Sequence, residues 1–453
     1  MWSRKRLDIR WSDLLAGTAH CLTRWNRAAA QRAVESEFSA DGDALCCLSV
    51  RSAWDLLLQS LNLAPGDEVL MSALTIPDMA RIVEDHGLVP VPLDLEIDTA
   101  APAADAVLRA VTPRTKVVLV AHLFGGRIDL GPLIAAAKSH GLVFVEDCAQ
   151  AYIGPGFRGH PRADASLFSF GTIKTATALG GGLAVVRDAA LLARMRAQQA
   201  NYRVQVRWSF FQRVWKCSLL KAVSTRRMFG LFVRVCRWLG IDYDRLINDS
   251  VRGFGIPHRA CPGGNQDAAL QACGASDAPA PGGLVQNPSS HRHEAGGDGG
   301  RSDIDRFRRR PSAPLMALLR RRLRRYDPRR VEAKTARGEL LASLIQPALR
   351  CPGAALAPHN YWVFPVWSED PAATIIRLNR AGFDATQGQS MCVIPASDQR
   401  PELDPAGARE LLARLVYVPL YAELPELEIR RLATVLLAEA AERAVRQAEP
   451  ALA

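Results

Sequence analysis

No CxxC pair and no regular spacing occurs among the ten cysteines of this 453-residue chain. That argues against a zinc ribbon or a disulfide framework and suits reduced thiols. No run of about 18 or more apolar residues is present, so a transmembrane helix is not expected. The N-terminus, MWSRKRLDIRWSDLLAG, is basic but lacks the apolar run and small-residue cleavage site of a secretion signal. A cytoplasmic protein is therefore expected. No repeat or coiled-coil pattern appears. The absence of a GxGxxG opening a helix after the first strand makes a nicotinamide Rossmann site a poor reading. Zinc-finger spacing and RNA-recognition aromatics are also missing, so the net charge of +11 does not by itself imply a nucleic-acid partner, and none is expected. No metal site is expected either, and His291 and His293 read as loop histidines.

What is present is length enough for two domains and a hydrophobic fraction of 48%, ample for a core. From residue 44 to 190, short apolar runs at 45–50, 68–73, 89–95, 117–123, 142–148, 165–170 and 182–186 alternate with helix-like stretches such as SAWDLLLQSLNL. Near-continuous apolar strands separated by helices predict a mostly parallel sheet sandwiched by helices, an α/β domain. Ligands gather at the carboxyl ends of such strands.

Residues 201–241 hold nine Arg or Lys, no acid, and several Trp and Phe. Two readings stand: an amphipathic helical pair packed on the large domain or a partner subunit, or a peripheral contact with an anionic membrane. Residues 261–300 hold 13 Gly or Pro in 40 and almost no large apolar residue, which cannot build a core and predicts a flexible linker. From residue 311 two helices, a strand at HNYWVFPVW, a helix ending at Gly382, a strand at LVYVPLY and a last helix predict a compact α+β domain. The expected organisation is a large domain over 1–255, a linker over 256–310 and a small domain over 311–453.

The chemistry concentrates in VFVEDCAQAYIG and ADASLFSFGTIKTATALGGGLAVV. Asp147 ends a strand, Gln150 follows three residues later, and Lys174 comes after a second strand and Ser169. A lysine able to form an imine, a carboxylate able to keep a pyridine nitrogen protonated, and a hydroxyl near a helix N-terminus able to hold phosphate are the groups that pyridoxal phosphate (PLP) chemistry needs. Each residue alone reads as a cap, a solvated charge or a buried hydroxyl. Their order and spacing inside a parallel α/β domain point to the cofactor.

With Asp147-Cys148-Ala149-Gln150, Ser169-Phe170-Gly171-Thr172-Ile173-Lys174 and the glycines 180–182 in place, the sequence resembles the DegT/DnrJ-type sugar aminotransferases of PLP fold type I. The resemblance is close over 44–200 and looser over 311–440. It implies that Lys174 is the Schiff-base lysine and proton carrier, and that Asp147 pairs with the pyridine nitrogen. Gln150 would lie near the ring's phenolic oxygen and Ser169 would bind phosphate. The family's early phosphate turn aligns with Val50-Arg51-Ser52, so Ser52 and Arg51 would join the phosphate site. Ile76 takes the position that often stacks on the cofactor. His122 reads either as a satisfied core histidine or as a ring or substrate contact. The family's Gly-x-Asn-x-Arg segment has no counterpart that aligns here.

The resemblance further implies an aminotransferase acting on a keto sugar, nucleotide-linked, with glutamate as amino donor, in glycan or secondary-metabolite biosynthesis, and a homodimer. Two alternatives stay open: a PLP enzyme acting on a lipid-linked substrate at the membrane surface, and a degenerate regulatory pseudoenzyme of the same fold.

Overall fold

The computed structural model describes residues 1–4, 6–240, 246, 303–346, 348–388 and 390–448. The chain opens with helices α1 (Trp11–Leu22) and α2 (Arg27–Phe38), and then alternates. Strand β1 (Ala44–Cys47) leads to α3 (Val50–Leu61), β2 (Glu68–Ser72), the short β3 (Leu74–Thr75), α4 (Pro77–Asp85), β4 (Val89–Leu93), α5 (Ala104–Ala110), β5 (Thr115–Ala121) and α6 (Gly131–Lys138). Strands β6 (Val143–Asp147), β7 (Ala165–Ser169) and β8 (Gly182–Val186) follow, then α7 (Ala189–Ala200), α8 (Arg207–Val223) and α9 (Arg226–Trp238).

All seven apolar runs read from the sequence become strands of one sheet, ordered β1-β8-β7-β6-β5-β2-β4. Pairing is parallel except on either side of β8. Every residue of β2, β7 and β8 is buried, as a sheet covered on both faces requires. One face packs around Trp54, Leu56 and Leu57 of α3 with α4 and α7. The other packs on α5 and α6 at one end and on α1 and α2 at the other. The carboxyl ends of β1, β5, β6 and β7 therefore share one edge, which the amino end of antiparallel β8 also reaches.

The second domain carries helices Pro328–Ile345, Pro371–Arg380 and Glu426–Ala448 around an antiparallel strand pair, Phe364–Trp367 with Leu415–Val418. Strand Cys392–Val393 crosses to pair with β3 and fastens this domain to the sheet edge.

The boundary between domains differs from the one read in the sequence. Residues 303–310 pack on the large domain: Phe307 is in its core, Arg308 donates twice to the buried Asp55, and Arg309–Arg310 pairs with Arg203–Val204. Helix Ala313–Arg324 also joins the large domain, because Leu315, Met316, Leu318 and Leu319 bury their stripe against Phe168, Phe170 and Leu183. The apolar periodicity of that helix was visible, but not which domain it would cover. The part of the linker at 256–302, including the 261–300 stretch, lies outside the described residues.

Candidate active site

A cavity of ≈ 610 Å³ opens at the shared strand edge, between the sheet, the N-terminal arm and the second domain. Asp147, Gln150, Ser169, Lys174, Arg51 and Ile76 all line it. Their placement follows from the strands. Asp147 and Ser169 are the last residues of β6 and β7, where the pleat ends and the backbone turns.

Lys174 sits in the loop after β7, and two contacts from outside the sheet fix that loop. The Asp8 carboxylate of the N-terminal arm accepts the Ala176 N–H at 2.7 Å. From the second domain the Trp362 indole N–H donates to the Ile173 carbonyl at 2.9 Å. The Lys174 Nζ lies 3.9 Å from the centroid of the same indole ring, a cation–π distance. Ala176 and Leu179 hold φ of +55° and +63°, a conformation that non-glycine residues adopt at a cost. Burial pushes the Lys174 amine down to about 8; the Asp147 charge opposes that shift and Arg51 adds to it.

Burial raises the Asp147 carboxyl above its ordinary value, partly offset by the Ala149 N–H at 2.8 Å and by the charge of Lys174. Among the described residues that N–H is its one hydrogen-bond donor. A partly desolvated acid of this kind suits a cationic partner, such as a protonated ring nitrogen. Gln150 accepts the Phe124 N–H through Oε1 at 2.8 Å, so its NH₂ end is the group left to donate. Asn360 of the second domain donates to the carbonyls of Gln150 and Tyr152 at 2.9 and 3.0 Å, which ties this turn to the other domain.

At the amino end of α3, Ser49 caps the helix by accepting the Ser52 N–H at 3.1 Å. Ser49, Val50 and Arg51 face the cavity, so the anion-friendly end of a helix is aimed into it. Gly182, the first residue of β8, makes this approach possible: a Cβ there would lie 2.5 Å from the Ser49 carbonyl carbon. Two expectations change here. The Ser52 hydroxyl lies 3.0 Å from that of Ser49, and Ser52 does not line the cavity, whereas Ser49 does. Arg51 lines the cavity but is ion-paired to Asp78 at 2.6 Å, which Arg306 also contacts, so its charge is shared.

His122 is not at the site. Ala121 and Leu123 face the cavity, and the alternation of an extended chain turns residue 122 the other way. Its Nδ1 accepts the Ile128 N–H, which leaves Nε2 to donate to Glu146 at 2.8 Å. This is the satisfied core histidine. His122, Glu146 and Cys148 form a cluster of possible metal ligands, but Glu146 also accepts from the His160 N–H and the Ser166 hydroxyl.

Other lining residues were not read from the sequence as site residues. Arg4, Arg6 and Arg10 come from the N-terminal arm, Arg322, Arg330 and Lys334 from later helices, and Trp362 from HNYW. The basic arm and the arginine-rich helices were visible as composition. Their convergence depends on long-range packing that no local pattern encodes.

The residues fit PLP: an amine with a lowered pKa, a half-buried acid, a hydroxyl at a strand end and a helix N-terminus converge on one cavity. Residues 24–215 match the model of the DegT/DnrJ/EryC1/StrS aminotransferase family. The chain is 41% identical over 173 residues to the erythromycin biosynthesis sensory transduction protein EryC1 of Saccharopolyspora erythraea, covering 36% of this chain and 46% of that one. It is 36% identical over 172 residues to the UDP-N-acetyl-3-dehydro-α-D-glucosamine 3-aminotransferase of Acidithiobacillus ferrooxidans, with the same two coverages. The chain thus spans less than half the length of these curated relatives. The fold extends further: the aminotransferase TlmJ of Streptoalloteichus hindustanus superposes with a TM-score of 0.65 at 19% identity, over 98% of this chain and 99% of the other. The architecture is that of PLP fold type I, and residues 24–215, which build the sheet and carry Asp147 and Lys174, are the part of the chain that matches the DegT/DnrJ/EryC1/StrS aminotransferase family.

Proposed function

We propose that this protein is a PLP-dependent aminotransferase that moves an amino group from a donor amino acid, glutamate, to the carbonyl of a nucleotide-linked keto sugar. The observation that carries the reading is the half-buried pair Lys174 and Asp147 facing one cavity with the α3 N-terminus. The UDP-sugar relative supports the substrate class. So does the cavity wall, where nine Arg and two Lys outnumber five Asp or Glu, a balance suited to a diphosphate. We place the enzyme in the cytoplasm as a homodimer, the arrangement implied by the family resemblance.

When bound, PLP supplies an aldehyde that condenses with amines and a ring that takes up electron density. The rest falls to this chain's side chains. An amine held at about 8 is neutral often enough near neutral pH to attack a carbonyl, and afterwards to carry a proton between two carbons at its Nζ. Asp147, once beside a cation, stays ionised and holds the proton on the ring nitrogen. Gln150 offers its NH₂ to an oxygen on the ring. Ser169 and the N–H groups at the start of α3 hold the phosphate. The Trp362 ring covers Lys174 Nζ and excludes water from it.

The test is absorbance of the purified protein with PLP, for the native chain and Lys174→Ala, followed by borohydride reduction and peptide mapping. A visible band absent from the variant, with the reduced adduct on Lys174, is expected, as is conversion of glutamate to 2-oxoglutarate in the presence of a keto sugar. An adduct elsewhere, or no band, would sink the reading.

A further inference from the structure

Helix α8 is apolar on two opposite faces. Phe210, Val214 and Cys217 are buried in or against the large-domain core. At about 100° per residue, Trp208, Trp215 and Leu219 fall on the opposite side, and they stand in solvent. Trp208 is 61% exposed and Trp215 71%. Helix α9 repeats the plan: Phe229, Val233 and Cys236 are buried, while Met228, Leu231, Val235 and Trp238 are exposed, Trp238 at 84%. On α9 the exposed Arg227 and Arg234 flank that apolar stripe. Helix α1, packed beside α8, also leaves large apolar residues in water: its Trp11 and Leu15 are exposed, and Lys221 of α8 lies 5.9 Å from the Trp11 ring.

Three adjoining helices that each leave large apolar residues in water require a partner. Charge decides its nature. Residues 201–241 carry nine Arg or Lys and no acid. In a two-fold dimer built on this face, the same cationic patch would meet its own copy, a juxtaposition of like charges that works against association. The 261–300 stretch has almost no large apolar residue and is a poor cover. An apolar stripe with interleaved tryptophans and flanking arginines matches a different surface, the headgroup layer of an anionic bilayer, where indole rings settle at the interface and cations meet lipid phosphates. Among the described residues no helix is long and apolar enough to cross a membrane, so the contact would be peripheral.

We infer that the exposed stripes of α8 and α9 dock this protein onto an anionic phospholipid membrane, with the exposed apolar residues of α1 beside them. Arg213 of α8 lines the cavity, so the docking helix also forms part of the site's wall. The inference stands on the exposed face and does not depend on the aminotransferase reading.

The test is flotation of the full chain with vesicles of phosphatidylcholine alone and of phosphatidylcholine with phosphatidylglycerol. Binding to the mixed vesicles only, weakened by added salt, is expected. The pair Arg227→Glu and Arg234→Glu should weaken it by about tenfold or more. The triple variant Trp208→Ser, Trp215→Ser, Trp238→Ser should abolish it, with circular dichroism and PLP uptake unchanged. The charge-reversal pair leaves the buried stripes intact and keeps the test valid if the triple variant misfolds. No flotation with anionic vesicles, or equal binding to both compositions, overturns the proposal. So does failure of both the charge-reversed and the tryptophan variants to change it. A native chain that ignores vesicles but falls from dimer to monomer with the tryptophan substitutions would identify the face as a subunit interface and would equally overturn it.

Discussion

Glu146 and Asp147 are neighbours at the end of β6, the first buried and the second half-buried at the cavity, and they are furnished in opposite ways. Glu146 turns towards His122 and receives three donors: the imidazole, the His160 N–H and the Ser166 hydroxyl. Together they bring its carboxyl down to about 2 despite burial. The turn at Gly159, with φ of +83°, makes room, since a Cβ there would lie 2.4 Å from the Glu146 carboxylate. Asp147 points the other way, into the cavity, with one backbone donor and a raised pKa. A buried acid with its hydrogen bonds filled is structural, whereas one left largely unfilled beside a cavity is kept for a ligand.

The contrast can be broken from either side. Lys174→Ala should remove covalent PLP and cut turnover by about 10³-fold or more, as read by absorbance and steady-state rates, while the melting temperature holds. Asp147→Asn should leave the fold intact and lower turnover roughly a hundredfold or more. Glu146→Gln should do the reverse, costing about 2–3 kcal/mol of stability in denaturant titration with the cofactor band unchanged. If both substitutions changed the spectrum, or both destabilised alike, the division between the neighbours would fail.

Two pH profiles sharpen the same comparison. The Glu146 carboxyl is lowered in the folded chain, so the stability it confers is present above about 4.5 and is lost as pH falls towards about 2. Glu146→Gln should flatten acid unfolding in that window. On the other side of the strand end, the rate at which Lys174 captures PLP should climb with pH and level off above about 8. A rise continuing into the ordinary lysine range would show that burial does not depress the amine. The smallest expected effect is that of Asp8→Asn, which weakens the grip on the Ala176 N–H. A turnover loss of several-fold, about 1 kcal/mol, with unchanged PLP affinity, would mark Asp8 as a positioning residue.

Much of this was legible in the chain. Seven strands announced themselves as apolar runs, and the spacing from Asp147 to Lys174 carried the site because Asp147 ends β6 and Lys174 lies in the loop that follows the next strand, β7. Ser52 does not reach the cavity, and His122 takes the core one of its two readings, both for reasons of side-chain direction. Sequence tells that a residue is near a strand end or helix start, but one residue of offset reverses a side chain on a strand and turns it by about 100° on a helix. Thus Ser49 faces the cavity and Ser52 serves the cap; Ala121 and Leu123 face it and His122 does not. Asn360, Trp362, Lys334 and the arm residues from Arg4 to Arg10 could not be found by spacing, since they come from segments hundreds of residues away along the chain. The tryptophans of 201–241 were visible as composition, but which of them would face water was settled by the stripe that α8 and α9 bury.

The indole of Trp362 lies against the amine that would carry the cofactor, and that contact has an optical consequence. A chromophore on Lys174 that absorbs where tryptophan emits would sit within close range of this ring and quench its fluorescence, making Trp362 a gauge of loading. Because the ring belongs to the second domain and the lysine to the first, the same signal would report whether the two domains are closed. One emission trace, compared between the native chain and Trp362→Phe, would follow occupancy and closure together without any added label.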